Sequence, residues 1–462
     1  MTWQRVGLAL MSVLTAVYIG LALWTSWVHP QEQSRLDLLQ TDLVLQASSL
    51  PLPAPLNINH QNLLAQALSA YEHTRHSLSD PDTTAQLDLS IGLLQAQLGD
   101  VEKAIATWEH VQPEGSRVWL VGQILASLWD SPPRLLPDAE RQIKNTLENW
   151  YQAIALQRLY QVQQRPEMVR QVVQEQHTQA QTAVRQLLLV NAVPIFGGTI
   201  GVIVWLVWGG TALLGRQPVL ASAPSAKPWQ VSWNAEQTWT RMIVWFSAFV
   251  GISQLVIPVL IGVLHLHPPT GNSSDQYVLK AWWVLIPYLL AVVPALAIAT
   301  WKLPQSWIHW NLTDWQWLRW GITSYFAAVP AVLLASVASQ SLLQGQGGGN
   351  PLLPILVASH DPAAQMILWC TVGIAAPLCE ELLFRGFLLP SLASFLPLPW
   401  AIAISGFSFA LVHLNLADLL PLSVLGIFLG WTYWRANNLL AVILLHSLWN
   451  TGSFLALVSL GQ

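Results

Sequence analysis

Nine apolar stretches recur along this chain, and they constrain its fold more than any other feature: residues 6–28, 187–214, 241–266, 281–300, 320–343, 363–389, 398–414, 417–434 and 438–459. A hydrocarbon layer offers the backbone no hydrogen-bond partner, so segments long enough to cross it must be helices that satisfy their own amides. Composition agrees, with 53% hydrophobic and only 10% charged residues against a soluble norm of about 25% charged. The expected fold class is all-α, a polytopic transmembrane helical bundle of about nine spans with an inserted helical aqueous domain. The net charge of −4 is small and no basic run is dense enough to follow phosphates, so nucleic acid is excluded as a partner.

The charge that does occur is concentrated in residues 29–186, which hold no spanning segment and read as helices punctuated at Pro113, Pro132-Pro133, Pro137 and Pro166. The expected organisation is a membrane anchor at 1–28, an aqueous domain at 29–186, a membrane helix at 187–214, a linker at 215–240 rich in Pro, Ala and Ser, flanking membrane helices at 241–362, and a core at 363–462. The first apolar run is too long for a cleaved signal and lacks a small-residue cleavage site, so it reads as an uncleaved anchor. Within the aqueous domain, Leu98-Gly99-Asp100 followed by Ala104 and Trp108 is compatible with an ordinary helical hairpin or with one tetratricopeptide-like unit that binds a protein partner. Cys370 and Cys379 sit nine positions apart in one apolar stretch and form no disulfide framework.

Lys and Arg in short loops orient such a chain. Arg5, Arg216, Lys227, Arg241, Lys302, Arg319, Arg385 and Arg435 fall on one side, which places the N-terminus in the cytoplasm and residues 29–186 on the exoplasmic face. The tryptophans from Trp301 to Trp320 fit a segment lying at the headgroup level.

A charge at the bilayer centre costs about 2.5–3.5 kcal/mol on insertion scales, so those retained there require a reason. From the second span onward, the ionisable residues well inside apolar segments are Glu380, Glu381, Arg385, His413 and His446, all within the last hundred positions. On one helix Glu381 and Arg385 share a face and can neutralise each other. Glu380 points about 100° away and is left without that partner, which suits it to act as a base. Phe409 and His413 are four apart, as are His446 and Asn450, so each pair shares a helix face. Two imidazoles, an amide and a spare carboxylate supply a base for water and donors for an oxyanion, provided that Glu380, His413, His446 and Asn450 converge in one cavity open to the cytoplasm.

The order Glu-Glu-x-x-x-Arg, Phe-x-x-x-His, His-x-x-x-Asn resembles the CAAX-protease and bacteriocin-processing family of intramembrane endopeptidases, which includes the type II CAAX prenyl endopeptidases. The resemblance covers Ala363 to Ser459. It implies that Glu380, with His413, activates water, that His446 and Asn450 stabilise the oxyanion, and that Glu381, Arg385 and Phe409 support them. The substrate class so implied is a membrane-associated or prenylated protein or peptide. A metal-free glutamate protease is the favoured expectation; zinc held by Glu380, His413 and His446 is the alternative, although a His-Glu-x-x-His signature is absent. Two further readings compete: a non-catalytic scaffold or bacteriocin-immunity protein, and a transporter, for which the duplicated halves are missing.

Overall fold

The computed structural model describes residues 3–28, 32–50, 60–77, 80–214, 229, 231–271, 273–304, 307–343, 346–349, 355–356 and 359–461. Most of the expected linker, with Arg216 and Lys227, lies outside these residues. Every regular element among them is helical. The chain divides into two compact units, Pro30–Leu189 and a second formed by Met1–His29 with Val190–Gln462.

In the first unit, Gly99 at φ 96° ends helix Pro81–Leu98 and turns the chain into Val101–Glu109. A β-carbon at Gly92 would lie 2.2 Å from the Trp108 indole, so glycine there lets the fully buried Trp108 reach the Leu89 carbonyl through its Nε1–H at 3.2 Å. Elsewhere in the unit, Asp42 accepts hydrogen bonds from the hydroxyls of Tyr71 at 2.6 Å and Tyr151 at 3.2 Å. Burial pushes its carboxyl up to about 6, against the pull of both phenols. The native state therefore holds the proton more tightly than the unfolded chain, and stability falls as pH rises from about 4 to about 6. Asp42→Asn is expected to abolish that slope, as read by hydrogen exchange of helices His60–Ser77 and Asn149–Val162 after correction for intrinsic rates.

Eight helices among the described residues of the chain are long and apolar enough to cross a membrane, one of them, Pro166–Thr211, beginning in the first unit. The ninth apolar segment corrects the expectation: Leu398–Leu411 has 14 residues, about 21 Å at 1.5 Å per residue against a hydrocarbon core of about 30 Å. The N-terminal helix Trp3–Val28 belongs to the bundle. Arg5 forms a bidentate ion pair with Glu236, and Ser26 Oγ donates to the Gly347 carbonyl while accepting from the Leu416 amide. Helix starts follow capping chemistry: Asp361 accepts from the Ala363 and Ala364 amides, Asn415 accepts from Ala417, and Asn234 forms a reciprocal box with Gln237. The tryptophan stretch is divided, with Trp301, Trp310 and Trp315 exposed but Trp320 buried inside helix Gln316–Leu343.

Two of these helices, Leu398–Leu411 and Leu416–Ala436, cross at Gly406 and Gly426. A β-carbon on Gly426 would stand 2.6 Å from the Gly406 α-carbon, with backbone and not a flexible side chain in the way. Small residues allow this approach. Gly426→Val is expected to force the helices apart and destabilise the unit by several kcal/mol, visible as a lowered thermal midpoint in detergent.

Candidate active site

The helix bearing the first motif is not regular. Pro362–Trp369 passes into a π-type turn at Cys370–Ala375, resumes at Ala376–Glu381, widens again at Leu382–Leu388 and ends at Leu389–Phe395. Each widened turn precedes a proline, Pro377 or Pro390, whose ring would clash with the carbonyl four residues back in a regular helix. Glu380 and Glu381 thus lie on a short α-helical segment between two bulges.

Glu381 is completely buried and is the hub. Its Oε1 accepts from Arg385 Nη1 at 2.8 Å, the pairing expected from their spacing, and lies 2.8 Å from His446 Nδ1. The second bond has no signal in the local sequence pattern, because it joins residues 65 positions apart. With a carboxylate and a guanidinium on that side, Nδ1 carries the hydrogen and donates it. Arg385, also fully buried, sends Nη2 to the Gly426 carbonyl at 3.0 Å and lies over the Phe409 ring at 4.6 Å.

Glu380 diverges from this clasp. Its Oε2 is buried and has no hydrogen-bond partner among the described residues; the nearest basic atom is His446 Nε2 at 4.0 Å. His413 stands apart at the end of helix Leu398–Leu411, exposed, with Nδ1 donating to the Phe409 carbonyl at 2.8 Å. Leu414 at φ 57° then turns the chain into the Asn415 cap. Phe409 links the two histidines, its ring centroid 5.0 Å from that of His413 and 5.4 Å from that of His446. Asn450 reaches the motif helix, its Nδ2 donating to the Val372 carbonyl inside the first widened turn at 2.7 Å. Neither the Val372 nor the Gly426 acceptor had a signal in the side-chain pattern, since both are backbone carbonyls.

Glu380 and His446 therefore meet, Glu381 and Arg385 fasten His446, and Asn450 ties its helix to the same segment; the expected convergence of all four site residues is corrected for His413, which stands exposed past the end of its short helix and reaches the others through the Phe409 ring. Among the described residues no three His, Cys, Asp or Glu side chains gather as a metal-ligand set. The trio Glu380, His413 and His446 is not assembled in that way.

Eight candidate spans around a buried Glu-Arg-His assembly define an integral, multi-pass membrane protein with a polar site inside its bundle. The model of the Rce1-like type II CAAX prenyl endopeptidases matches residues 362–452, the segment that carries all three motifs. The UPF0177 protein YxdF of Lactococcus lactis subsp. lactis (strain IL1403) is 30% identical over 160 residues, 32% of this chain and 82% of that protein. No solved structure matches. The chain belongs to the CAAX-protease and bacteriocin-processing family, and the Rce1-like match over residues 362–452 supports an intramembrane protease of the CAAX type in general.

Proposed function

We propose that the membrane unit is a glutamate-type endopeptidase that hydrolyses peptide bonds of membrane-associated or prenylated proteins. The observation that carries this reading is the pair formed by Glu380 and His446: a carboxylate oxygen with no hydrogen bond among the described residues lies 4.0 Å from an imidazole nitrogen whose ring is fixed by Glu381. A water molecule reaches both atoms across such a gap, at about 2.8 Å from each. Glu380 takes a proton from that water as the oxygen attacks the scissile carbonyl. His446 Nε2, the ring nitrogen left without a hydrogen, accepts the other O–H of that water and holds it in place, and the Asn450 N–H not used on Val372 is the oxyanion donor expected from the motif. Glu380 returns its proton to the departing amine. His413, its Nδ1–H held by Phe409, offers Nε2 at the rim as an acceptor for substrate or water.

The test is cleavage of fluorogenic farnesylated peptides and of reconstituted membrane proteins by the full chain in liposomes, with and without a strong chelator, and by Glu380→Gln. Activity that survives chelation and disappears in Glu380→Gln supports the glutamate mechanism. Loss under chelation, restored by zinc, replaces it with metal catalysis. If the wild type cleaves no substrate and folds as the variant does, the scaffold or immunity reading prevails, with Glu381, Arg385 and Asn450 serving only to join helices.

Arg5, Arg241, Lys302 and Arg319, which fall on one side of the first five spans, support a cytoplasmic N-terminus and an exoplasmic aqueous unit. Residues 29–186 are then placed to receive a protein partner. Reaction of an impermeant thiol reagent with Cys introduced at Glu102 in intact cells tests the orientation, and lack of labelling reverses it.

A further inference from the structure

Tyr288 lies in helix Ser274–Thr300, directly after Pro287 and outside the segment matched by the family. That helix packs in turn along Pro362–Trp369, the widened turn Cys370–Ala375 and Ala376–Glu381. Ser274 at its start bonds to Asp361, the cap of the motif helix, so the two run side by side from a common end. The Tyr288 hydroxyl is buried and has no hydrogen-bond partner among the described residues, as is also true of Glu380 Oε2. Tyr288 and Glu380 thus stand on two helices packed against each other.

Burying a hydroxyl without a partner costs free energy that phenylalanine at the same position would avoid. A phenol and a carboxylate kept together for structural reasons would bond directly, O–H to oxygen. Here two orphaned polar groups sit on helices packed against each other and do not bond, an arrangement suited to a third, transient group.

We propose that Tyr288 is a catalytic residue whose O–H donates to the scissile carbonyl oxygen as that oxygen acquires charge. The inference rests on the hydrolytic reading above and completes its donor set. One Asn450 N–H is committed to Val372 and His446 Nδ1–H is committed to Glu381, so donors free of structural duty are scarce. In the step, a water O–H bond breaks with its proton passing to Glu380, the hydroxide oxygen bonds to the carbonyl carbon, and the π pair moves onto the oxygen held by Tyr288. That pair then re-forms the carbonyl, the C–N bond breaks, and the Glu380 proton passes to the amine. Peptide and water become acid and amine, and Tyr288 keeps its own proton throughout.

The experiment compares wild type, Tyr288→Phe and Glu380→Gln on a fluorogenic farnesylated peptide with the full chain in liposomes. Tyr288→Phe is expected to lose about 10²–10³-fold in kcat with KM little changed, while its thermal midpoint holds or rises because an unpaired hydroxyl has gone. A KM increase at unchanged kcat, or activity close to wild type while Glu380→Gln is inactive, overturns this inference alone. A wild type that does not cleave, or a Glu380→Gln that cleaves equally well, overturns the hydrolytic reading and this one with it.

Discussion

Glu380→Gln is expected to lower kcat/KM by roughly 10²–10⁴-fold, the range associated with loss of a positioned general base. The amide is isosteric, and the carboxylate oxygen it replaces makes no hydrogen bond among the described residues. The variant should therefore fold with wild-type stability while it cannot accept the proton of water. Glu380→Asp adds a second reading of the same site. It keeps the charge but withdraws it by one methylene, about 1.5 Å, from a gap already 4.0 Å wide. A partial loss of kcat follows if the bridging distance matters, since misplacement on the order of 1 Å costs about 10²-fold. Retention of full activity by both variants, measured at matched expression in liposomes, would remove Glu380 from the mechanism.

The largest effect on stability belongs to Arg385→Met, expected to cost about 3–5 kcal/mol, as when one partner of a buried ion pair is removed. The guanidinium is fully buried and holds Glu381, the Gly426 carbonyl and the Phe409 face together. Its loss strands the equally buried Glu381 carboxylate with only the imidazole of His446. The double variant Glu381→Leu with Arg385→Met removes both charges and should recover most of that stability, because well-packed apolar replacements of buried pairs are often neutral. It should not recover catalysis, since His446 Nδ1 loses the acceptor that orients its ring. Thermal unfolding in detergent and the peptide assay together separate the two roles: a double variant that is stable and active would show that Glu381 does not position His446, whereas one no more stable than the single variant would count against the buried charge as the cause.

The polar residues of the candidate site stand out in the sequence because the membrane makes polar residues conspicuous. A carboxylate, an imidazole or a guanidinium within an apolar run is costly, so Glu380, Glu381, Arg385, His413 and His446 announced themselves, and helical periodicity paired Glu381 with Arg385. The all-helical class was equally determined by the apolar runs. Segment length was less secure: the run at 398–414 looked like a span, but Pro397 at its start and the left-handed turn at Leu414 leave a helix of only 14 residues.

Contacts distant in sequence were decided by tertiary structure alone. No local pattern shows that Glu381 meets His446, that Phe409 lies between two histidines, or that Arg385 and Asn450 use the carbonyls of Gly426 and Val372. Periodicity says which side chains share a face of one helix, whereas the relation between helices depends on where glycines permit close approach, as at Gly406 and Gly426, and where prolines widen a turn, as before Pro377 and Pro390. Tyr288 illustrates the limit best. In sequence it is one aromatic among many in an apolar helix, and only packing of that helix beside the Glu380 segment gives its unpartnered hydroxyl a chemical context.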